Sequence, residues 1–314
     1  MKRKKVLVVI PMIEAQRQAL ITIGEDCEFA FCDPEDVTEV SIREAEVILG
    51  NLNPTLIQAA QQLEWLQLNS AGYEQYLEPG VLAQEVLLTN AGGAYGPAVA
   101  EHLIAMVFSV AKKLPLYRDS QSRGEWADYG QVLPLHGQNV LVVGLGDIGQ
   151  HFASMMKALG NHVIGVRRNT GDKPDFVDEI HALNELNQLL PKADVVALCI
   201  PLTAQTRKLM GRDQFEMMKK TALFFNIGRG ELVDTQALYD AIKQDKIGGA
   251  GIDVTDPEPL PAEHPLWKLP NLLITPHCSG GFHLQETLER IVAIVLRNFE
   301  RYIKREELEN RIRR

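Results

Sequence analysis

Asn139-Val140-Leu141-Val142-Val143-Gly144-Leu145-Gly146-Asp147-Ile148-Gly149 decides how this chain folds. An apolar run of strand type ends at Gly144, and a helical pattern over residues 148–159 begins just after it. Between them stands G-x-G-x-x-G, and a second apolar run, residues 162–166, follows beyond Gly160. Strand, glycine turn, helix and second strand form the context in which this motif binds a dinucleotide. Gly144 would make the tight turn, Gly146 would let backbone approach a pyrophosphate, and Gly149 would let the helix pack close to the strand. The helix N-terminus would present N–H groups and a positive dipole end to the phosphates.

Downstream the pattern stays β-α-β. Residues 193–200, 222–227, 249–254 and 272–275 read as strands, with a helix at 235–244. Such continuous apolar runs suit strands buried on both faces of a parallel sheet. Upstream, residues 6–10, 47–49, 66–68 and 86–89 read as strands and 14–23 and 54–62 as helices, a smaller parallel α/β unit. Its turns Asn69-Ser70-Ala71-Gly72 and Asn90-Ala91-Gly92-Gly93 follow strands, at the carboxyl ends where open sheets bind ligands. Pro97 opens a long helix where the chain crosses to the second domain. His102 on that helix follows core periodicity and reads as a packed or capping residue. Residues 116–135, with Trp126, look irregular and would wrap the surface or meet a second subunit. A last amphipathic helix, residues 284–302, would return to the first domain, leaving 304–314 as a charged, solvated end.

A chain of 314 residues accommodates two domains, and a net charge of −9 argues against a nucleic-acid partner. The basic start, Lys2 to Lys5, precedes only five apolar residues before Pro11, too few for a signal-peptide core. No run reaches the roughly 18 apolar residues of a membrane helix. Cys27, Cys32, Cys199 and Cys278 lack metal-binding spacing, so no metal and a reducing cytoplasm are expected.

The second strand of the dinucleotide unit ends Val166-Arg167-Arg168-Asn169, with no acid at its tip. A carboxylate there would hold a ribose 2′-hydroxyl, whereas guanidinium groups suit a 2′-phosphate. NADP(H) is therefore expected over NAD(H), which stays the second dinucleotide open to the site. Three later strand ends carry reactive types: Arg229 in Asn226-Ile227-Gly228-Arg229-Gly230, Glu258 between Pro257 and Pro259, and His277 in Thr275-Pro276-His277-Cys278-Ser279. Hydride transfer to a carbonyl needs a proton near neutral pH, which histidine supplies. A neighbouring carboxylate favours the charged ring, and arginine offers two fixed donors to a carboxylate.

Together these segments resemble the D-isomer-specific 2-hydroxyacid dehydrogenases. The likeness rests on Val143 through Gly149, Pro201-Leu202-Thr203, Asn226 through Gly230, Gly251-Ile252-Asp253-Val254 with Glu258-Pro259-Leu260, Pro265-Leu266-Trp267, and Asn271 through His277. Ser70-Ala71-Gly72 and Val99-Ala100-Glu101-His102 also fit, so it spans nearly the whole chain. The resemblance implies an α/β protein of two Rossmann-like, doubly wound parallel-sheet domains with the active site in the cleft between them. It implies a discontinuous substrate domain, residues 1–98 plus 286–314, a dinucleotide-binding domain, residues 99–285, and a homodimer. It makes Arg229, Glu258 and His277 catalytic. Ser70, Ala71 and Gly72, with Arg229, would hold the carboxylate of a small 2-oxoacid or 2-hydroxyacid. The implied cofactor set is Gly144, Gly146, Asp147, Ile148, Arg167, Arg168, Asn169, Cys199, Ile200, Pro201, Thr206, Ile227, Gly228, Asp253, His277 and Gly280, with Asp253 meeting the nicotinamide carboxamide.

The expected activity is reduction of glyoxylate, hydroxypyruvate or a related 2-oxoacid. Arg167 departs from the acid usual in NAD-using members. Cys278 stands where an aliphatic residue is common and reads as a wall. No regulatory domain follows residue 314, which disfavours the long form of phosphoglycerate dehydrogenase. A two-domain phosphoglycerate dehydrogenase and a non-catalytic dinucleotide-sensing protein are the alternatives. Selection of the substrate side chain would fall to Met12, residues 51–53 and 73–76, Trp126 or Phe282.

Overall fold

Apolar runs become strands here wherever helices can cover both faces of a parallel sheet. The computed structural model describes residues 3–282 and 284–314, so Lys2 of the basic start lies outside the described residues. The chain divides into two units, one of residues up to Tyr95 together with Phe282–Arg314, the other Gly96–Gly281.

The first unit begins with β1 (Lys4–Val8), α1 (Glu14–Ile23), β2 (Cys27–Phe31), α2 (Glu39–Glu44), β3 (Val47–Leu49), α3 (Pro54–Ile57), β4 (Trp65–Gln67) and β5 (Leu87–Thr89). All neighbours pair parallel in the order β2-β1-β3-β4-β5. The order reverses between β1 and β3, the position at which such sheets open toward a ligand. β2 has no counterpart among the strands expected from sequence. It is an edge strand whose residues alternate half-buried and exposed, so it offers no continuous apolar run.

The second unit opens with α4 (Gly96–Ala111) and α5 (Leu114–Ser122). α5 corrects the irregular stretch expected from residue 116: Pro115 sits in a first helical turn, where its missing N–H costs nothing. Only after Arg123 does the chain lose regular structure, and there Trp126 is fully exposed. Next come β6 (Asn139–Val143), α6 (Asp147–Ala158), β7 (His162–Val166), β8 (Glu179–His181), α7 (Leu186–Leu189), β9 (Val195–Leu198), α8 (Arg212–Met217), β10 (Leu223–Asn226), α9 (Thr235–Lys243), β11 (Gly249–Ile252) and β12 (Leu272–Ile274).

The seven strands are parallel in the order β12-β11-β10-β9-β6-β7-β8. Register pairs Val143 with Val166 and Leu198, Leu198 with Asn226, Asn226 with Ile252, and Ile252 with Ile274. Val166 also pairs with His181, so all seven strands finish level and their following loops share one edge of the sheet. Val140–Val143, Val195–Leu198, Phe224 and Phe225 are buried beneath that edge. Each such aliphatic or aromatic side chain contributes about 1.5–3 kcal/mol relative to exposure, so the edge rests on a stiff base.

α10 (Gln285–Lys304) belongs to the first unit. Its Phe299 and Tyr302 stack on buried Trp65, with ring centroids 6.3 and 4.9 Å away. Buried Asn298 donates to Gln67 Oε1 at 2.8 Å and to the Glu309 carbonyl at 3.1 Å. The tail after α10 is not the solvated end expected from its charge. Ile312 N–H donates to the Leu88 carbonyl at 2.8 Å, Arg311 bridges Thr89, and the Arg314 guanidinium donates to the Ala83 carbonyl at 2.8 Å. β5 is the outer strand, and the tail satisfies backbone groups that its edge would otherwise leave unpaired. Among the described residues no helix is long and apolar enough to cross a membrane.

Candidate active site

α6 begins without a side-chain cap, because Gly146 precedes it. Its first-turn N–H groups are thus left for an outside acceptor. A Cβ on Gly146 would meet nothing within 4 Å, so the approach to those donors is open. Gly144 has φ +102°, and a Cβ there would lie 2.5 Å from the Cys199 carbonyl oxygen. A Cβ on Gly149 would run into the Gly144 carbonyl oxygen. Turn, open floor and close helix approach each need their glycine, and together they fit a pyrophosphate. The Asp147 carboxylate faces elsewhere: its Oδ2 accepts the Gly96 N–H at 2.7 Å and caps α4 from outside that helix. Asp147 and Ile148 can still serve a phosphate through their own N–H groups.

At the tip of β7, Arg167 donates to the Asp172 carbonyl, while its Nε is buried with no partner among the described residues. A buried donor left unsatisfied costs about 1–3 kcal/mol, a cost that an anion at this tip would remove. Arg168 and Asn169 beside it are exposed, and Asn169 Oδ1 accepts the Gly171 N–H at 3.0 Å.

Cys199, Ile200 and Pro201 follow β9 against the glycine turn. Burial pushes the Cys199 thiol up to about 12, so it is a neutral wall. Thr206 is buried. Its hydroxyl donates to the Pro201 carbonyl at 2.9 Å and accepts the Thr203 N–H at 2.8 Å, which shapes this loop. A Cβ on Gly228 would sit 2.7 Å from the Ile200 carbonyl oxygen, so the loops after β9 and β10 touch. Ile227 is buried at that contact, and Gly280 is half-buried beyond β12.

The loops after β11 and β12 bring Glu258 and His277 together. His277 Nδ1–H donates to Glu258 Oε1 at 2.5 Å, and both side chains are exposed. A carboxylate only accepts, so Nδ1 carries the proton and Nε2 is the atom that can take or give one. His277 has φ +49°, and its N–H donates to the Asp253 carbonyl at 2.7 Å. The Glu258 loop is pressed against the turn after β10: a Cβ on Gly230 would collide with the Thr255 carbonyl. Arg229 stands in that turn, which buried Asn226 ties by donating to the Arg229 carbonyl at 2.8 Å. Arg229 Nη1 donates to the Gly228 carbonyl at 2.8 Å. Strands run about 4.8 Å apart, so the tips of β10 and β12, with β11 between them, are about 10 Å apart.

What grips the histidine loop was not among the sequence expectations. Asp253 is 1% exposed. Its Oδ1 accepts from Thr275 Oγ1 at 2.6 Å and Cys278 N at 3.0 Å, and its Oδ2 from Ser279 Oγ at 2.5 Å and Ser279 N at 3.2 Å. The single Thr275 hydroxyl proton is thereby committed, so His102 Nε2–H donates to Thr275 Oγ1 at 3.1 Å. His102 is thus a hydrogen-bonding support of the loop rather than a merely packed residue. A signal existed: an acid closing an apolar strand must be paired when buried, and Thr275 and Ser279 flank His277 two residues to either side. Burial, and then the Asp253 charge, push the Cys278 thiol up, as suits a wall.

In the first unit, Asn51 and Asn69 clasp the loops after β3 and β4. Asn51 N–H donates to Asn69 Oδ1 at 2.6 Å, and Asn69 N–H to Asn51 Oδ1 at 2.9 Å. Asn51 Nδ2 donates to Ser70 Oγ at 2.9 Å, Ser70 Oγ to the Gly72 carbonyl at 2.6 Å, and Asn90 Nδ2 to the Ala71 carbonyl at 2.6 Å. Carbonyls of the turn are engaged, while among the described residues nothing accepts from the N–H groups of Ala71 and Gly72. Met12 and Tyr76, considered for side-chain selection, are buried, and Tyr76 Oη donates to the Leu52 carbonyl at 2.8 Å. Both are core residues.

Residues 104–279 match the family described as "D-isomer specific 2-hydroxyacid dehydrogenase, NAD binding domain". The chain is similar to the crystal structure of a D-isomer specific 2-hydroxyacid dehydrogenase family protein from Aeromonas salmonicida subsp. salmonicida A449, with 31% identity, a TM-score of 0.87 and 99% of each chain covered. It is 32% identical over 282 residues to glyoxylate/hydroxypyruvate reductase B of Enterobacter sp. (strain 638), covering 85% of this chain and 84% of that one. It is 30% identical over 311 residues to D-3-phosphoglycerate dehydrogenase of Methanocaldococcus jannaschii, covering 98% of this chain and 59% of the relative's own length. A family match across more than half of the sequence, joined to a solved structure that aligns end to end, assigns the lineage: this chain belongs to the D-isomer specific 2-hydroxyacid dehydrogenase family.

Proposed function

We propose that the chain is an NADP(H)-dependent oxidoreductase that moves hydride between nicotinamide and C2 of a small 2-oxoacid or D-2-hydroxyacid, with glyoxylate and hydroxypyruvate as the substrate type. The observation that carries this reading is the 2.5 Å contact between His277 and Glu258, on the sheet that also bears the glycine turn. When bound, the cofactor supplies the hydride. In reduction His277 Nε2 gives a proton to the substrate carbonyl oxygen, and in oxidation it takes one back. Glu258 favours the charged ring. The Arg229 guanidinium offers a planar pair of donors to carboxylate and carbonyl. Asp253 and Ser279 keep the histidine loop in place. The partnerless Arg167 Nε, with Arg168 and Asn169 beside it, supports a 2′-phosphate and hence NADP(H), with NAD(H) as the poorer partner. The name of the Enterobacter relative supports the substrate class.

Loss of NADPH or NADH absorbance with glyoxylate, hydroxypyruvate, pyruvate, branched and aromatic 2-oxoacids tests this. Turnover of the two smallest, with the higher kcat/KM for NADPH, is expected. His277→Ala should abolish turnover while NADPH still binds by fluorescence. Tight dinucleotide binding with no turnover of any acid would end the enzymatic reading, and an NADH preference would end the coenzyme assignment. A phosphoglycerate dehydrogenase is the second reading, favoured by the name of the Methanocaldococcus relative, and oxidation of 3-phosphoglycerate in the same assay separates the two. The proposal includes a cytoplasmic homodimer: the four cysteines are unpaired, and fully exposed Trp126 is a surface for a second copy. A single-chain mass in light scattering would refute the dimer.

A further inference from the structure

Three side chains of different chemistry converge behind the catalytic loop: His102 from α4, Asp253 after β11 and Cys278 after β12. Their ligand atoms, an imidazole nitrogen, a carboxylate oxygen and a thiol sulfur, all lie within 4.8 Å of one another. We propose that they form a site for one thiophilic divalent cation, zinc by chemistry, and that filling it switches the catalytic loop off.

Ligand softness comes first. A thiolate with an imidazole selects zinc or cobalt, whereas magnesium and calcium prefer all-oxygen sets. Distances come next. Tetrahedral zinc takes nitrogen and oxygen at about 2.0–2.2 Å and sulfur at about 2.3 Å, which separates ligand atoms by about 3.3–3.6 Å. His102 Nε2 and Asp253 Oδ1 are already 3.8 Å apart, so side-chain shifts of about an ångström or less close the set. Three protein ligands leave the fourth position for water. His102 and Cys278 are half-buried rather than sealed, so an ion can reach them, while Asp253 lies deepest. Charge balances: Cys278 releases its thiol proton to solvent as the metal–sulfur bond forms, and His102, which carries its ring proton on Nε2 in the metal-free loop, shifts that proton through solvent to Nδ1 so that the bare Nε2 ligates.

The cost falls on the loop. Asp253 Oδ1 now accepts from Thr275 Oγ1 and Cys278 N, and the Thr275 hydroxyl occupies the space between His102 and Asp253, 3.1 and 2.6 Å from them. An ion there displaces that hydroxyl and draws the Cys278 side chain inward. Cys278 follows directly on His277, whose φ of +49° leaves its backbone little room to adjust. The imidazole is then pulled away from Glu258. Cation binding and the His277–Glu258 pair exclude one another, so the cation acts as an inhibitor.

Cobalt(II) titrated into the chelator-treated full-length protein should give a thiolate-to-cobalt absorption band saturating at one equivalent and displaced by zinc. Cys278→Ala should lose the band, and His102→Ala should weaken cobalt affinity by about ten-fold or more. Circular dichroism establishes that both variants are folded. Zinc should inhibit 2-oxoacid reduction over the range in which it displaces cobalt, chelator should restore the rate, and Cys278→Ala should resist zinc relative to its own metal-free rate. Only this inhibition arm rests on the reductase reading; the cobalt spectrum stands without it. Absence of a band, or a band that survives Cys278→Ala, overturns the site. A band with the expected variant behaviour but undiminished turnover at saturating zinc overturns the switch.

Discussion

Asp253→Asn isolates the grip on the catalytic loop. The change keeps volume and replaces one carboxylate oxygen with an NH2 group. The carboxylate accepts four hydrogen bonds, two per oxygen. On whichever side the NH2 falls, a hydroxyl, of Thr275 or Ser279, can turn round and accept. A backbone N–H cannot, so that of Cys278 or Ser279 is left facing a donor. The Ser279 side is the cheaper, because its N–H bond is 3.2 Å against 3.0 Å for Cys278. Stranding a buried N–H costs about 1–3 kcal/mol, and losing charge assistance in the remaining bonds costs roughly 1 kcal/mol more. The total is about 2–4 kcal/mol, and at about 2–4 °C per kcal/mol for a unit of this size the transition falls by roughly 4–16 °C. Ser279→Ala removes a hydroxyl and strands no backbone group, so it should cost only about 1 kcal/mol. Calorimetric melts of both variants beside the parent, with kcat from NADPH loss, make the measurement. kcat should fall more than KM rises, because the loop that hangs from Asp253 carries the proton-transferring ring. An Asp253→Asn transition within about 2 °C of the parent would refute this account of the grip.

Gly146→Ala should leave the melting temperature nearly unchanged but weaken NADPH binding in a fluorescence titration, because a Cβ there meets no protein atom within 4 Å. Gly149→Ala should lower the melting temperature through its collision with the Gly144 carbonyl; the reverse pattern would disprove the assigned roles. Hydrogen bonds to Glu179 and then Glu185 raise the His181 pKa above its ordinary 6.5. A raised folded-state value means stability fully present below the ordinary value and lost as pH climbs through the raised one. The melting advantage of the parent over His181→Gln should therefore be fully present below the ordinary value of 6.5 and fade as pH rises above it, and an advantage growing with pH would contradict it. Deleting residues 310–314 uncovers β5 and removes the backbone bond to Leu88, so urea unfolding should show a loss of about 2–3 kcal/mol. An unchanged midpoint would return the tail to solvent.

The central strands were legible because burial on both faces demands unbroken apolar runs, as in residues 139–143 and 193–200. β2 and β8 were not: each lies at a sheet edge, where Cys27–Phe31 alternates and Glu179–His181 is half-buried throughout. α5 was hidden by composition: its second half, Asp119-Ser120-Gln121-Ser122, is polar and rich in residues that favour turns and caps over helix interiors. Charge misled at the C-terminus, since the Arg314 head serves backbone carbonyls as readily as water. In the site, an acid beside a histidine suggested the contact of Glu258 with His277. The roles of Thr275, Ser279 and His102 depend on loops brought together from residues more than 170 positions apart in the case of His102 and Thr275, a proximity no local pattern encodes.

The first unit is sewn from both ends of the chain, and this sets an order of events during synthesis. Trp65 leaves the ribosome roughly 230 residues before Phe299, a wait on the order of ten to fifty seconds at about 5–20 residues per second. Throughout it the nascent β4 lacks the aromatic cover that α10 brings. The uninterrupted second unit can complete itself first, so slow translation or a chaperone shortage should harm the amino-terminal segment before the dinucleotide fold.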